Sequence, residues 1–317
     1  MKKFFDRKTY VLTGIIFILI MFILYKTFYN FFEKHYTVTK ITSVNMPLPT
    51  ENCAPVISSD GLKLYFLSNR TGSTLGSGGL PSFDFWYSVK SNCLDPFTDP
   101  PILVPSSLSP DNTGLNTKLD EGPGSVSADG NTIYFTAKRP DGTTNYQLYK
   151  VDKNGTLFGT ATNIGLTFSN NINVGQPCIT ADKKRIYFVS DSLNGLHIWY
   201  SDSDDGINYK PPVQITKINS AGRELSPFMC SDGVTLYFAS NGLTPNYGGF
   251  DIYKTTFDRI NNVWTDTVNL GPEINSSLDD MYPSRPTCGS VFYFARGVAD
   301  TYGFRGFFDF YQVTPAP

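Results

Sequence analysis

Beyond about residue 40 the apolar positions fall in short runs broken by glycine, proline, asparagine and aspartate, and no stretch carries a helical period. The most regular run is an apolar–Tyr–Phe tripeptide. It occurs as Leu64-Tyr65-Phe66, Ile133-Tyr134-Phe135, Ile186-Tyr187-Phe188, Leu236-Tyr237-Phe238 and Phe292-Tyr293-Phe294, with the tyrosines 69, 53, 50 and 56 residues apart. A turn precedes most copies: Ser58–Gly61 (SSDG), Ser127–Gly130 (SADG), Thr180–Lys183 (TADK) and Cys230–Gly233 (CSDG), decaying to Cys288-Gly289 in the fifth. Asp-Gly between two apolar runs is a strong hairpin signal. After each tripeptide comes a second run with one polar residue in a fixed place: Asp84, Gln147, His197, Asp251 and Asp309. A further extended segment, such as PPVQITKI from Pro211, closes most copies. Each copy therefore predicts strand, hairpin, strand, variable loop, strand, hairpin, strand.

Four antiparallel strands per copy, with the second strand apolar on both faces, suit a blade packed on each side by a neighbour. The expected fold is all-β: a five-bladed β-propeller over residues 41–317, with six blades as the alternative. The fifth copy ends after its third strand. Ile41–Gly61 resembles Asp266–Gly289 in the order of strand, turn, acid, proline, strand and turn. The segment around Thr37–Met46 is thus expected to supply the missing outer strand and close the ring, which removes two sheet edges.

The N-terminus has a different pattern. Lys2, Lys3, Arg7 and Lys8 precede the apolar run Val11–Tyr25, 15 residues long, or about 22 Å as a helix. The aromatic stretch after Lys26 extends it, and no small-residue cleavage site follows before Met46. The reading is a cytoplasmic basic tail (1–10), a single transmembrane signal-anchor helix (11–30) and a short tether (31–40), with a cleaved signal peptide as the alternative. The basic residues ahead of the anchor place the propeller outside the cytoplasm, periplasmic or extracellular. Since the closing strand would run from the hairpin face toward the opposite one, the latter, the channel mouth, is expected to point away from the membrane.

Composition changes the picture by exclusion. Charged residues make up 17% of the chain with a formal net charge of −2, which gives no electrostatic case for nucleic acid. The five cysteines form no CxxC, and His35 and His197 are the only histidines; no metal or other cofactor is expected. The odd cysteine count leaves at least one free thiol in a monomer.

Proline, then Ser-x-Asp-Gly, then [Leu/Ile]-Tyr-Phe-x-Ser-x-Arg, then Gly-Gly-x-Asp-Ile-Tyr, resembles the WD40-like β-propeller repeat of TolB-type periplasmic proteins over residues 40–317. Ser226–Lys254 matches best; the third copy lacks the turn glycine and the fifth the aspartate. The resemblance implies an extracytoplasmic binding or scaffolding propeller. Asp202–Tyr209 (DSDDGINY) resembles a degenerate sialidase-type Asp-box, a folding hairpin, with Asp204, Gly206 and Tyr209 in place.

Candidate site residues follow from the repeat. Asp84, Asp251 and Asp309 recur at one position, as a structural group does and a catalytic acid need not, and no catalytic residue is assigned. The face holding the strand 2–3 loops and the blade-to-blade links is expected to gather Arg70 and Arg139 just after strand 2, and Glu51, Asp120, Glu121, Glu224, Asp279 and Asp280 just before strand 1. These are the candidate ligand-binding residues of the mouth, beside the long first-blade loops Asn69–Ser82 and Ser109–Gly122. The expected partner, besides the membrane, is a protein, peptide or glycan. A glycoside hydrolase or lyase using mouth carboxylates is the alternative. Sequons stand at Asn69, Asn154 and Asn275.

Overall fold

The computed structural model describes residues 36–47, 50–76, 79–106, 113–139, 145–166, 168, 172–193, 195–288, 290–297 and 308–315. The expected tail and anchor (1–30) lie outside them. Among the described residues no helix is long and apolar enough to cross a membrane. Residues 38–314 form one compact unit.

Strand β1 (Tyr36–Lys40) opens the described chain. Blade 1 is β2 (Asn52–Ile57), β3 (Lys63–Ser68), β4 (Asp84–Val89) and β5 (Ile102–Leu103). Blade 2 is β6 (Glu121–Val126), β7 (Thr132–Ala137), β8 (Gln147–Asn154) and β10 (Thr162–Asn163), with β9 (Leu157–Phe158) folded back on the end of β8. Blade 3 is β11 (Val174–Ile179), β12 (Arg185–Ser190), β13 (His197–Asp202) and β14 (Val213–Gln214). Blade 4 is β15 (Glu224–Met229), β16 (Thr235–Ser240), β17 (Asp251–Asp258) and β19 (Val268–Asn269), with β18 (Val263–Trp264) on the far end of β17. Blade 5 is β20 (Asp280–Ser284), β21 (Phe292–Gly297) and β22 (Phe308–Pro315), completed by β1. The inner strands β2, β6, β11, β15 and β20 pack in sequence and β20 returns to β2. The ring closes with five blades.

The tripeptides account for the core. Phe66, Phe135, Phe188, Phe238 and Phe294 are fully buried, and the neighbouring tyrosines, pointing to the opposite faces of the same strands, are buried too. Gly61, Gly130 and Gly233 of the Asp-Gly turns adopt φ of +74°, +69° and +67°, a region closed to most side chains. In the hairpin after β13 the turn carboxylate is Asp205 rather than Asp204. Asp205 accepts N–H bonds from Ile207 and Asn208 at 2.8 Å, whereas Asp204 reaches outward to Lys210.

Every inner strand carries a register break beside a proline: Pro55, Pro123, Pro177, Pro227 and Pro283. Proline removes a ladder donor, so the bulge puts the missing bond where the strand is already displaced. In four blades the preceding residue has positive φ (Ala54, Gln176, Ser226, Tyr282), a strain of about 1–2 kcal/mol each that the flanking ladder holds in place. The five prolines and their neighbours line the axis, where the free space is about 30 Å³, room for one water molecule.

The seam between blades 5 and 1 is tied several times. The last strand comes from the N-terminus, as the repeat register predicts: Ile41 N–H bonds Phe310 O at 2.9 Å, and Lys40 Nζ meets Asp309 at 2.6 Å. A disulfide joins Cys93 after β4 to Cys288 before β21, 195 residues apart, and leaves Cys53, Cys178 and Cys230 as thiols. Lys90 Nζ donates to Cys93 O and, across the seam, to Tyr293 Oη at 2.8 Å. Burial pushes the Lys90 ammonium down to about 8.

Candidate functional site

The candidate residues converge on one end of the ring. In blades 1 to 4 the first residue of strand 1, the last of strand 2 and the first of strand 3 lie side by side, for example Glu224, Ser240 and Asp251. In blade 5 Asp280, Arg296 and Asp309 form the same row, one residue inward on strands 2 and 3. All of these ends open on the mouth face, together with the strand 2–3 loops.

At the strand-1 position stand Asn52, Glu121, Val174, Glu224 and Asp280. The three acids are buried, and each is held by a hydroxyl residue four positions earlier. Thr117 Oγ1 donates to Glu121 at 2.8 Å, Ser220 Oγ to Glu224 at 2.5 Å and Ser276 Oγ to Asp280 at 2.8 Å. The residue before each hydroxyl is an asparagine whose amide imitates a neighbouring strand. Asn116, Asn219 and Asn275 accept from the backbone N–H of Phe85, Ile198 and Ile252 at 2.8–2.9 Å and donate to the carbonyls of the same residues. Asn45 does the same to Phe310 beside the closing strand. The recurring Asn-[Ser/Thr]-x-x-x-acid pattern was visible in the sequence as 116–121, 219–224 and 275–280. It marks a link between blades. It also buries the Asn275 sequon.

The acids just ahead of strand 1 make a second link. Asp120 accepts from Phe83 N–H at 3.1 Å and Asp279 from Phe250 N–H at 3.0 Å, each in the preceding blade. The arginines are inward too. Arg139 pairs with Glu121 at 2.8 Å, both side chains almost wholly buried. Arg70 lies over the rings of Phe66 and Trp86 and bonds Asn52 Oδ1 at 2.7 Å and Val44 O at 3.0 Å; burial pushes its guanidinium down to about 10. Arg296, which the sequence reading left out of the site, meets Asp280 at 2.6 Å.

The strand-3 position serves the same structure. Asp84 accepts from Thr74 N–H at 2.6 Å, Asp251 from Tyr247 N–H and Asn269 Nδ2 at 2.8 Å, and Asp309 from Lys40. His197 Nδ1 lies 3.1 Å from Glu224 Oε2 of the next blade. At the corresponding place between blades 1 and 2, the carboxyls of Asp84 and Glu121 are near enough to act on each other. Burial pushes both carboxyls up, Glu121 strongly, despite the Arg139 guanidinium that pulls Glu121 down. Two buried carboxyls beside one guanidinium carry an excess negative charge when both are ionised, and burial favours the uncharged form of a carboxyl.

Three candidate mouth carboxylates are not buried: Asp120 is exposed, and Glu51 and Asp279 are partly so. Glu51 is half-buried, and burial and then the Asp120 charge push its carboxyl up. Around them the strand 2–3 loops present large apolar side chains: Leu75 and Leu80 in blade 1, Tyr146 in blade 2, Leu193 in blade 3 and Tyr247 in blade 4. Leu80 is 75% and Leu193 69% exposed. Single apolar residues in variable loops carry no periodic signal, so sequence reasoning passed over them.

No protein-family model matches the chain, and no curated protein matches it. Solved structures do. TolB from Acinetobacter baumannii is 15% identical with a TM-score of 0.46, over 83% of this chain and 54% of that one; this chain thus spans about half of that protein. TolB from Agrobacterium tumefaciens is 15% identical with a TM-score of 0.49, over 89% and 98% of the two chains. A thermostable family-43 glycoside hydrolase is 16% identical with a TM-score of 0.56, over 87% and 91%. At these identities the likeness is one of fold alone, and the glycoside hydrolase, with the highest TM-score of the three, carries it.

Proposed function

We propose that the chain is a membrane-tethered, extracytoplasmic propeller that holds a protein, peptide or glycan partner on its mouth face. The observation that carries this reading is the division of labour on that face. Glu121, Glu224, Asp280, Arg70 and Arg139 near the strand ends are buried in contacts with one another and with the links between blades, while exposed loop positions carry leucine and tyrosine, the side chains a binding surface uses. The axial cavity, lined by prolines, Gln176 and small or apolar residues without a carboxylate, supports binding over the rim rather than chemistry in the channel. The Cys93–Cys288 disulfide supports an oxidising compartment. The course of β1, whose Lys40 end reaches the mouth-side residue Asp309, supports a chain that enters from the hairpin face and a mouth turned away from the membrane.

The test is capture of crosslinked partners by the parent and by a Leu80→Asp/Tyr247→Asp variant of equal thermal stability. Loss of a partner by the variant is expected; equal capture by both would remove the mouth from the reading. A glycoside hydrolase or lyase is the second reading, and it rests on Glu51, whose carboxyl is pushed up first by burial and then by the charge of Asp120. Turnover of a glycan panel by the parent, abolished in Glu51→Gln, would replace binding with catalysis.

A further inference from the structure

We propose that the slot between blades 3 and 4, on the outer side of the ring, is a second binding site that takes an extended polypeptide segment as an added strand. The argument comes from the same element built twice in this chain. In blades 2 and 4 the third strand overruns its ladder and turns back through a short hairpin, β8–β9 and β17–β18. The two hairpins are equivalent bond for bond. Lys153 N–H and Phe257 N–H reach the carbonyls of Asn131 and Val234 at 2.7 and 2.8 Å, and Gly159 N–H and Thr265 N–H return to Asp152 and Thr256 at 3.1 and 2.9 Å. Phe158 and Trp264 are therefore counterparts. Each sits opposite its partner at a rung without mutual hydrogen bonds, so its own N–H and C=O point away from the hairpin toward the preceding blade.

In blade 2 that outward edge is used. Phe158 N–H bonds Pro105 O of blade 1 at 3.0 Å, Phe158 also bridges Ser106, and its side chain is buried. Thr216 is the counterpart of Pro105, because Val104 and Ile215 just before them make the same bond to the third strand, to Phe85 O and Ile198 O. No backbone bond joins Trp264 to Thr216. A cavity of about 540 Å³ separates the two edges, between Val213, Thr216 and Lys217 on one lip and Val263 and Trp264 on the other, with Tyr200 also in its wall. Its size is that of a ligand site. Arg185 belongs to its wall and to that of a second hollow of about 420 Å³ between the turns at 180–184 and 230–233, and is fixed there by a two-point contact with Asp202 and by stacking over Tyr200.

The chemistry of the occupant follows from what fills the closed version. Backbone donors and acceptors pair there with Phe158, and apolar side chains seal the gap. The open slot presents the same outward edge at Trp264 and aliphatic lips, Val213 at 47% and Val263 at 52% exposure. An extended peptide with alternating apolar side chains supplies both. The Lys217–Asp266 pair that links the two blades nearby is a surface contact, easily displaced.

A phage-displayed library of random heptapeptides, panned against the full-length chain, tests the site. Val213→Arg is the blocking variant, chosen because its side chain is half exposed and outside the core; Trp264→Ala is the second. The expected result is enrichment of peptides with alternating apolar residues that slow hydrogen exchange at the Trp264 amide. Val213→Arg, at parental thermal stability, should weaken them by about tenfold or more. The proposal is overturned by no enrichment, by enriched peptides indifferent to Val213→Arg, or by a glycan-array ligand that occupies the slot without protecting that amide. A mouth-face partner unaffected by Val213→Arg is read separately, so the two sites fail independently.

Discussion

At the scale of single residues, what distinguishes this ring is how its charges are spent. Glu121, Glu224 and Asp280 each lie at a strand end on the mouth face, yet hydroxyl, amide or guanidinium groups hold each of them in the interior. The Asp84–Glu121–Arg139 set gives the sharpest consequence. Removing the cation by Arg139→Met should cost about 3–5 kcal/mol, because it strands buried carboxyls. Glu121→Gln should behave differently. A carboxyl whose folded value lies above its unfolded value near 4.5 keeps its proton longer in the folded chain. Its contribution to stability is therefore full below 4.5 and is lost as pH rises through the folded value. Glutamine does not ionise, so urea unfolding between pH 4 and 8 should show the variant gaining on the parent as pH rises. A gap that widens the other way would mean Glu121 is ionised and paired in the folded protein.

At the scale of elements, the strand pattern was legible because a blade has to be apolar on both faces of its second strand, and the Tyr-Phe pairs say so in every copy. The closing strand was legible for a related reason: the register of the copies leaves the fifth blade one strand short and puts a spare extended segment at Thr37–Met46. The strand itself is shorter, Tyr36–Lys40, because the chain turns at residues 42–44 to start the link to β2. Without residues 1–40, β22 would be an edge with unpaired backbone groups. Such a truncated chain should unfold at lower temperature, by about 1 kcal/mol per lost ladder bond, and should self-associate in a concentration-dependent way on size exclusion. A monomer of parental stability would show that β1 contributes little. The recurring asparagines belong to this scale as well: Asn45, Asn116, Asn219 and Asn275 each pair with a third strand at a place where the chain has no strand to offer.

At the scale of the whole molecule, a ring made from one chain is interrupted once, here inside blade 5 between β22 and β1, and further ties gather at the adjoining seam between blades 5 and 1: the Lys90–Tyr293 contact and the Cys93–Cys288 disulfide. The disulfide spans 195 residues, and closing so long a loop removes entropy from the unfolded chain. Cys93→Ser/Cys288→Ser should lower stability by about 2–5 kcal/mol and make denaturant midpoints indifferent to reductant, whereas the parent should lose stability when reduced. A parent unmoved by reductant would contradict the seam. The sequence by itself determined the repeat, the strands of each blade, the turns that join them and the strand that closes the ring. These depend on local periodicity and on counting copies. Only the tertiary structure decided which carboxylates are buried, which two of five cysteines meet, and that the slot is shut between blades 1 and 2 and open between blades 3 and 4. Those outcomes depend on contacts between residues far apart in the chain, where near-identical local patterns meet different neighbours.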